Sequence, residues 1–282
     1  MKTLIVITTA SRDLAIKSFI WDYVKFIKDN DNYELLISLD GKDKKTIDYC
    51  KKYNLPLLYS EEQEGVGLSK NRVLAHYPMF DYYFFIEDDV ELLNSNIFNI
   101  YIDLSNKLNL YHMSLFDESR IIEKKSITEI DNFKIIHSMY GSAQVNFFTK
   151  FAIEKVGGFH TEFAKYKRFG HTEHTYRFVN NGLTEYPFNI VENCLYGYFK
   201  WHEPLSVTKV KVKNNNKNRL SDIENELLTK KIKYFPITTL SNYQVINEGK
   251  QIIFDKLSFL YRIKFLFVLN ILDTLRSIKK LW

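Results

Sequence analysis

Acidic residues follow two of the apolar runs that predict buried strands in this sequence. Asp40 comes directly after Leu36–Leu39, and the segment Glu87–Asp89 comes directly after Tyr82–Ile86. Carboxyl ends of parallel strands face the crevice where such sheets bind ligands. Clustered carboxylates at the end of a buried strand are unfavourable unless a cation lies among them. The pattern therefore predicts a site for a hard divalent ion, Mn²⁺ or Mg²⁺, shared with the phosphates of a nucleotide.

Both acidic segments also have plainer interpretations. Asp40 precedes Gly41, so it is able to start a turn. The segment Glu87–Asp89 also fits a solvated acidic loop, but the fully apolar run before it favours a position in the ligand crevice.

The N-terminal part of the chain alternates short apolar runs with segments of helical spacing, a pattern typical of a parallel sheet covered by helices. The predicted strands are Leu4–Ile7, Glu34–Leu39, Leu57–Tyr59 and Tyr82–Ile86, and the predicted helices are Ala15–Ile27, Lys44–Tyr53 and Leu68–His76. This order indicates an α/β fold with a doubly wound half of nucleotide-binding type.

After Asp89 the pattern is less regular and indicates a mixed sheet. The predicted helices are Ile97–Leu108, Phe151–Val156 and Thr172–Asn180, and the predicted strands are Tyr111–Phe116 and Phe133–His137. The core is expected to end near His202–Pro204. The basic, Asn-rich segment Lys209–Arg219 predicts a linker or an exposed loop.

The C-terminal segment Gln251–Trp282 carries apolar residues at three- and four-residue steps with basic residues between them, which predicts an amphipathic helix. We therefore divide the chain into a main domain, 1–205, and a basic linker with a helical C-terminal extension, 206–282. The helix is expected to lie on an anionic membrane interface, on the main domain, or on a second subunit of a homo-oligomer.

Composition excludes several classes of protein. Hydrophobic residues at 45% exclude a disordered chain. Lys and Arg exceed Asp and Glu by only 39 − 34 = 5, which does not indicate a nucleic-acid partner. Cys50 and Cys194 lack metal-type spacing and are expected to be buried thiols of a cytoplasmic protein. The N-terminal apolar run is too short for a signal peptide, and no run reaches the roughly 18 apolar residues of a membrane span.

Three segments, taken in order, resemble motifs of GT-A glycosyltransferases, especially family 2. They are Asp40 after a strand, Gly65–Arg72 at the start of a helix, and Glu87–Asp89 after the next strand. The stretch Glu87–Glu91 also resembles the metal turn of the N-acetylglucosaminyltransferase I group. The resemblance covers residues 3–205 and implies a GT-A fold, with 1–90 as the nucleotide-binding half and 91–205 as the acceptor half.

The same resemblance implies a set of donor-site residues. The residues that would hold the nucleoside are Thr8, Thr9, Arg12 and Asp40, and those that would border the nucleotide are Gly65, Asn71 and Arg72. Glu87 or Asp88 would contact the ribose, and Asp89 would bind the metal. Free backbone N–H groups at a glycine-rich helix start also favour an anion. Arg72 has a second interpretation, as an ordinary residue of the helix surface.

A second match lies in the acceptor half. The segment Gly157–Phe159, followed by Phe169–Arg177, resembles the GGF…ED…R acceptor-site segment of these families. There an acidic residue at a helix start takes the proton of the acceptor hydroxyl, a role that would fall to Glu173. His174 stands where the family usually has Asp, so either Glu173 is the base and His174 tunes it, or His174 is the base itself.

Other interpretations of these acceptor-side residues stay open. His171 is a more distant candidate for the base, and Glu173 is also able to be a capping carboxylate at a helix N-terminus. By the same resemblance His202 would be a further metal ligand, although a lone histidine is often structural. Trp201 is expected to pack rather than to stack on a sugar.

The resemblance implies a metal-dependent, inverting hexosyl- or N-acetylhexosaminyltransferase. The donor would be a nucleotide-diphosphate sugar, with UDP the most frequent nucleotide in the family, and the acceptor a hydroxyl of a glycan or glycolipid. Such an enzyme would serve surface polysaccharide or glycoconjugate synthesis, in the cytoplasm or peripherally on the cytoplasmic face of the membrane.

Two competing functions remain. A nucleotidyltransferase would place a glycine-rich loop directly after the first strand, where this chain has Thr8–Arg12 without glycine. A nucleotide-sugar or glycan-binding module without catalysis is supported by the altered pair Glu173 and His174.

Overall fold

A central sheet, with ten strands among the described residues, organises the chain. The computed structural model describes residues 1–115, 124–141, 144–166, 170–192, 197–202 and 217–279. Its strands are β1 (Thr3–Thr9), β2 (Tyr33–Leu39), β3 (Leu57–Ser60), β4 (Tyr82–Glu87), β5 (Val90–Leu92), β6 (His112–Leu115), β7 (Lys124–Ile130), β8 (Phe133–Ser138), β9 (Val145–Thr149), β10 (Phe188–Val191), β11 (Phe199–Trp201) and β12 (Tyr243–Ile246).

The helices described are α1 (Asp13–Lys28), α2 (Lys44–Tyr53), α3 (Val66–His76), α4 (Ile97–Leu108), α5 (Lys150–Val156), α6 (Thr161–Tyr166), α7 (Gly170–Asn180), α8 (Lys217–Leu228) and α9 (Ser258–Lys279). The strand order in the large sheet is β12-β3-β2-β1-β4-β9-β6-β10-β8-β7, and β11 pairs separately with β5. The four strands β3, β2, β1 and β4 are parallel, and β9 runs antiparallel to both β4 and β6. The predicted α/β fold, with a mixed sheet built on a parallel centre, is confirmed.

Both faces of the parallel centre are buried, which explains why its strands are continuously apolar. Along β1, Ile5 and Ile7 join the core beneath α1, α2 and α4, whereas Leu4 and Val6 join the core beneath α3, α5 and α7. Since side chains of a strand alternate between its faces, this division follows directly from the sequence spacing. The sheet is therefore held from both sides, and its carboxyl edge is held in place.

Local signals set several helix ends. Asp43 accepts a hydrogen bond from the backbone N–H of Thr46 at 3.1 Å and starts α2, and Asn54 ends it in the left-handed conformation at φ 54°. Thr149 starts α5 in the same way, by accepting from the N–H of Ala152 at 3.2 Å. These capping side chains place the first and last turns where the apolar spacing alone is imprecise.

The predicted elements agree with the structure to within a few residues, with additions in the C-terminal half. Strands β9 and β10 were not predicted, although both lie inside the sheet. Part of the strand predicted at Tyr111–Phe116 and most of the predicted linker lie outside the described residues, but the end of that linker belongs to α8. Cys50 is a buried free thiol, as predicted, and Cys194 lies outside the described residues.

The C-terminal extension is more than a helix. Strand β12 pairs antiparallel with β3 and so becomes an edge of the central sheet. The predicted helical start at Gln251 is wrong, because the chain adopts helical structure only from Ser258. Asp255 is buried and accepts a 2.9 Å hydrogen bond from the hydroxyl of Tyr49, which ties the preceding segment to α2. The division at residue 205 stays a prediction.

Helix α9 packs one face on the main domain. Phe265 and Leu269 are buried against Ala15 and Phe19 of α1, with the rings of Phe265 and Phe19 4.8 Å apart. In the part of the chain that the structure describes, no helix is long and apolar enough to cross a membrane.

Replacement of Gly157 tests a close approach between two backbone segments. Gly157 has φ +75°, and a Cβ there would lie 1.8 Å from the carbonyl oxygen of Phe235. We expect Gly157→Ala to lower the free energy of unfolding by roughly 3 kcal/mol or more, because backbone has to move. Urea denaturation measures this change.

Gly182→Ala is the matched control. Gly182 has a similar φ of +69°, but no atom lies within 4 Å of a Cβ built there. Its expected cost is roughly 1 kcal/mol, from the left-handed backbone alone. Equal losses in the two variants would contradict the close approach.

Candidate active site

The predicted donor-site residues meet at the carboxyl edge of the parallel strands. In the register of the sheet, Thr8 lies opposite Ser38 of β2 and opposite Glu87 of β4. Backbone hydrogen bonds continue the ladder past the strand ends, since Asp88 N–H donates to Thr8 O at 3.1 Å and Asp40 N–H donates to Thr9 O at 2.9 Å. The sheet thus brings the two acidic segments of the sequence to one edge.

Arg12 is the cation nearest to the acidic turn. Its guanidinium contacts both oxygens of Asp88, donating from Nε to Oδ2 at 3.0 Å, and it reaches Oδ2 of Asp89 at 3.3 Å. The hydroxyl of Thr9 also donates to Asp88. Asp88 and Asp89 are buried, so these contacts supply the counter-charge that two buried carboxylates require.

Burial dominates the electrostatics of the turn. It raises the pKa of Glu87 and of Asp88 to about 7 each, in part because the neighbouring carboxylates repel, and it raises the pKa of Asp89. Arg12 acts in the opposite direction on these groups, and their charges raise its own pKa despite burial. The turn therefore keeps an unmet demand for positive charge near neutral pH.

Lys70 of α3 is a site residue that the sequence analysis missed. Its side chain is buried, and its ammonium lies over the rings of Phe85 and Phe159, 5.6 and 5.2 Å from their centroids. Burial lowers the pKa of Lys70 to about 8, although the charge of Glu87 acts to raise it. A lysine on the same helical face as buried Leu74, one turn away, was the available signal.

Asp40 holds the entrance to α3. Its carboxylate accepts from the backbone N–H of Glu64 at 3.0 Å and of Gly65 at 2.7 Å. Arg72 donates to Asp40 at 3.1 Å and pairs with Glu64. Arg72 is fully buried, so its interpretation as a helix surface residue is wrong. Gly65, at φ +101°, allows the loop to turn over Asp40.

Asn71 connects the two halves of the fold. Its side-chain oxygen accepts from the N–H of Phe159 at 2.6 Å, and its amide nitrogen donates to the carbonyls of Phe159 at 2.8 Å and Thr238 at 3.0 Å. A Cβ on Gly158 would lie 2.6 Å from Oδ1 of Asn71, so only glycine permits this approach. These contacts give Asn71 a structural role, and its contact with a nucleotide stays a prediction.

Glu173 lies buried in the first turns of α7, in a pair with Arg177. Nε of Arg177 lies 2.8 Å from Oε1 of Glu173, and Arg177 also donates to Oε2 at 3.0 Å and to the carbonyl of Gly158 at 2.6 Å. Burial raises the pKa of Glu173 and lowers that of Arg177, so each group is displaced toward its neutral form. This internal pair excludes a solvent-exposed capping carboxylate.

His174 is a fully buried ring of the core. It stacks on Phe159 with centroids 4.2 Å apart, and its Nε2–H donates to the carbonyl of Gly157 at 3.0 Å. Its Nδ1 is buried and has no hydrogen-bond partner. Burial lowers the pKa of His174 well below its ordinary value, so the ring is neutral and Nδ1 carries a lone pair.

His171 and His112 lie close to His174 in the same buried region. The rings of His112 and His171 are 5.8 Å apart, and burial lowers the pKa of His112 to about 3. The charge of Lys70 further lowers the pKa of both His171 and His174. Lys70 is therefore adjacent both to the acidic turn and to the start of α7, and it links the two predicted half-sites.

His202 lies beside the acidic turn but points its Nε2 elsewhere. Its backbone N–H donates to the carbonyl of Asp89 at 3.0 Å, whereas Nε2 lies 2.8 Å from Oε2 of Glu91. Arg262 of α9 pairs with the same Glu91 carboxylate. Although burial acts to raise it, the hydrogen bond from His202 and the charge of Arg262 hold the pKa of Glu91 below its ordinary value. The sequence offered no signal for this contact between distant segments.

The turn fits a hard divalent ion in one respect. Oδ1 of Asp89 is buried without a hydrogen-bond donor, and a carboxylate oxygen is the kind of ligand that Mg²⁺ and Mn²⁺ take. Within the described residues, no group of three or more His, Cys, Asp and Glu side chains is arranged to hold a metal. A metal bound here would thus have few protein ligands, and the phosphates of a substrate would complete its coordination.

Removal of the Arg12 charge tests the electrostatics of the turn. Because the pKa of Asp88 is raised to about 7, this carboxyl is ionised above that pH and neutral below it. We expect Arg12→Met to lower the free energy of unfolding by about 2–3 kcal/mol near pH 8 and by much less near pH 5, where the counter-charge is not needed. Urea denaturation at both pH values measures the difference.

Lys17→Met is the control for loss of a charge from α1. Lys17 pairs with Asp13 at 2.6 Å near the surface, so its loss should cost about 0.5 kcal/mol or less. An Arg12→Met cost that is as large near pH 5 as near pH 8 would contradict the raised pKa of Asp88.

Comparison with known proteins rests on structure alone. No family model matches the sequence, and no curated protein matches it. S. aureus TarS 1-349 superposes with a TM-score of 0.52 at 14% identity, covering 82% of this chain and 71% of that chain. The same protein in complex with UDP gives 0.53 at 13% identity, covering 71% and 60%.

The mannosyltransferase PcManGT from Pyrobaculum calidifontis, in complex with GDP-Man and Mn²⁺, gives a TM-score of 0.50 at 13% identity. The match covers 64% of this chain and 52% of that chain, so the chain spans about half the length of that relative. At such identities the likeness concerns the fold. The chain therefore has the GT-A glycosyltransferase fold that its motifs implied.

Proposed function

We propose that this protein transfers a sugar from a nucleotide-diphosphate sugar to a hydroxyl group. The observation that carries the proposal is the turn Glu87–Asp89, in which Asp88 and Asp89 are buried, at the carboxyl edge of a GT-A sheet with Arg12 and Lys70 beside it. Carboxylates that lack full counter-charge suit a metal ion, and buried cations suit phosphates. Structures of the same fold are complexes with UDP and with GDP-Man and Mn²⁺, which supports this donor class.

The donor half of the site would use groups that the fold already orients. Thr8 and Thr9 lie at the end of β1, and Asp40 at the end of β2, in the region where a nucleoside would bind. Glu87 or Asp88 would contact the ribose. We favour UDP as the nucleotide, because it is the most frequent one in the family that this sequence resembles. Its base and ribose would replace part of the water in the crevice.

Departure of the diphosphate would be helped by charge. Asp89 offers its unpartnered Oδ1 to a divalent ion. His202 is the further predicted ligand, although its Nε2 contacts Glu91 and would have to leave that contact to bind the ion. When bound, such an ion supplies Lewis-acid neutralisation of the leaving diphosphate. Lys70 and Arg12 add fixed positive charge at the same edge, in a buried environment that strengthens electrostatic stabilisation.

Proton removal from the acceptor falls to Glu173 in this proposal. The acceptor oxygen would form the bond to the anomeric carbon while the bond from that carbon to the diphosphate breaks, with inversion, and the hydroxyl proton would pass to the carboxylate. Burial raises the pKa of Glu173, which makes it the stronger base, whereas burial lowers the pKa of His174. His174 would then position the helix through its bond to Gly157.

The acceptor and the cellular role belong to the same proposal. We infer a glycan or glycolipid acceptor, and a role in surface polysaccharide or glycoconjugate synthesis on the cytoplasmic side of the membrane. The transferred group would be a hexosyl or N-acetylhexosaminyl group. These statements rest on the motif resemblance and on the ligands of proteins with the same fold.

A binding module without catalysis is the second candidate, and one observation favours it. Arg177 engages both carboxylate oxygens of Glu173, which would oppose proton transfer unless the pair opens when the acceptor binds. Catalysis of transfer or of donor hydrolysis by the purified protein separates these two functions.

A thermal-shift screen of nucleotide sugars, with and without Mn²⁺, tests the donor site. We expect a cognate donor with Mn²⁺ to raise the melting temperature, because a ligand that binds only the folded state stabilises it by mass action. Asp89→Asn should lose the Mn²⁺-dependent part of the shift and the turnover while it stays folded. Transfer at full rate in the presence of a chelator would contradict the metal-dependent mechanism.

Glu173→Gln tests the proposed base. Loss of the proton acceptor should reduce the transfer rate by about 10²–10⁴-fold, while the donor-induced thermal shift is retained. The matched variant His174→Gln should lose stability but keep the pH profile of the remaining activity. A larger rate loss in the histidine variant, with an altered pH profile, would assign the base to His174 instead.

A further inference from the structure

Helix α9 exposes a second apolar face, opposite the one that packs on α1. The side chains on this outer apolar face are between 37% and 64% exposed. They are Phe259, Leu260, Ile263, Leu266, Phe267 and Ile271. A helix that merely covers a domain has one apolar stripe and a polar opposite face. An exposed set of this size marks an interaction surface.

The orientation of α9 is fixed by contacts on its inner side. Phe265 is 1% exposed and packs against Phe19, and Arg262 pairs with Glu91 and, at 3.2 Å, with Asp22. The helix is thus anchored by both apolar and ionic contacts. Turning the outer apolar face inward would break these contacts, so that face remains available to a partner.

Unpaired cations border the outer apolar face. Lys256 and Lys264 are exposed, and Nζ of Lys25 lies 5.8 Å over the ring of Phe254, next to the start of the helix. None of these three lysines forms an ion pair with a described residue. Between positions 256 and 282 the sequence has six Lys and Arg residues against one acid, Asp273. The surface is therefore apolar along its middle and cationic at its borders.

We propose that the outer apolar face of α9 binds the interface of an anionic lipid bilayer. Aromatic and aliphatic side chains would enter the boundary of the acyl chains, and the bordering lysines would meet lipid phosphates. A second copy of the chain fits less well, because a helix paired with itself brings the same lysines close together without acidic partners. This inference concerns binding alone and stands whether or not the chain is a transferase.

Co-sedimentation of the protein, residues 1–282, with lipid vesicles tests the proposal. We expect binding to vesicles that contain about one-third phosphatidylglycerol in phosphatidylcholine, with weaker binding as salt is raised. Ile263→Gln with Phe267→Gln should weaken binding at least about tenfold, because two large apolar side chains are lost from the contact. Lys256→Gln with Lys264→Gln should weaken binding about fivefold per lysine on these vesicles and leave binding to pure phosphatidylcholine unchanged.

Met79→Gln with Leu240→Gln is the matched control, since both residues are more than half exposed but lie outside α9. This variant should bind like the unaltered chain, and circular dichroism should show that all variants are folded. The proposal is overturned if the unaltered protein does not sediment with anionic vesicles, or if the Ile263 and Phe267 variant binds equally well. It is also overturned if light scattering shows that the unaltered protein is a dimer, that the Ile263 and Phe267 variant is a monomer, and that neither protein binds vesicles.

Discussion

The requirement for positive charge at the end of β4 governs the arrangement of the crevice. Three consecutive carboxylates emerge from a strand that is buried on both faces, and burial, together with repulsion between the carboxylates, drives their pKa values upward. Two cations partly neutralise these carboxylates: Arg12, which follows β1, and Lys70, on α3. Neither provides complete neutralisation, because the pKa values stay raised. That shortage of positive charge is the basis of the proposed metal site, and the two cations are the basis of the proposed binding of phosphates. The fold thus maintains a charge imbalance at the end of β4.

The acceptor side follows a related principle with different groups. There the carboxylate of Glu173 has its own buried cation, Arg177, and neutral His174 of the same helix stacks on Phe159. Its position depends on the Gly157–Phe159 segment, whose carbonyls accept from His174 and Arg177 and whose backbone is bound by Asn71 of α3. Both glycines are needed because backbone or side-chain atoms occupy the space of a Cβ. One helix, α3, therefore contributes to the predicted donor side through Lys70 and to the predicted acceptor side through Asn71.

Elements with strong local periodicity could be predicted from the sequence, and contacts between distant segments could not. The first four strands and their helices were predicted because each apolar run is bounded by turn or capping residues such as Asp43 and Asn54. The acidic turn was found because three carboxylates after an apolar strand are unusual at any position. By contrast, the partners of Arg12 lie 76 and 77 residues away, and Glu91 meets Arg262 across 171 residues. Arg72 and Asn71 were assigned to the border of the nucleotide, which stays a prediction, and their buried contacts follow from how distant segments pack. Strands β9 and β10 were missed because mixed apolar and polar segments of that length fit several structures.

Strand β12 is synthesised long after β3, the strand with which it pairs. Until β12 is present, β3 has an unpaired edge, and exposed edges of this kind are where chains associate wrongly. Gln244, which hydrogen-bonds Tyr59 across this edge, is separated from it by 185 residues of chain. A growing polypeptide therefore carries an open β3 edge until these further residues have been made and β12 pairs with it. Termination of translation before β12 would therefore release a molecule whose parallel strands are complete but whose β3 edge is unpaired.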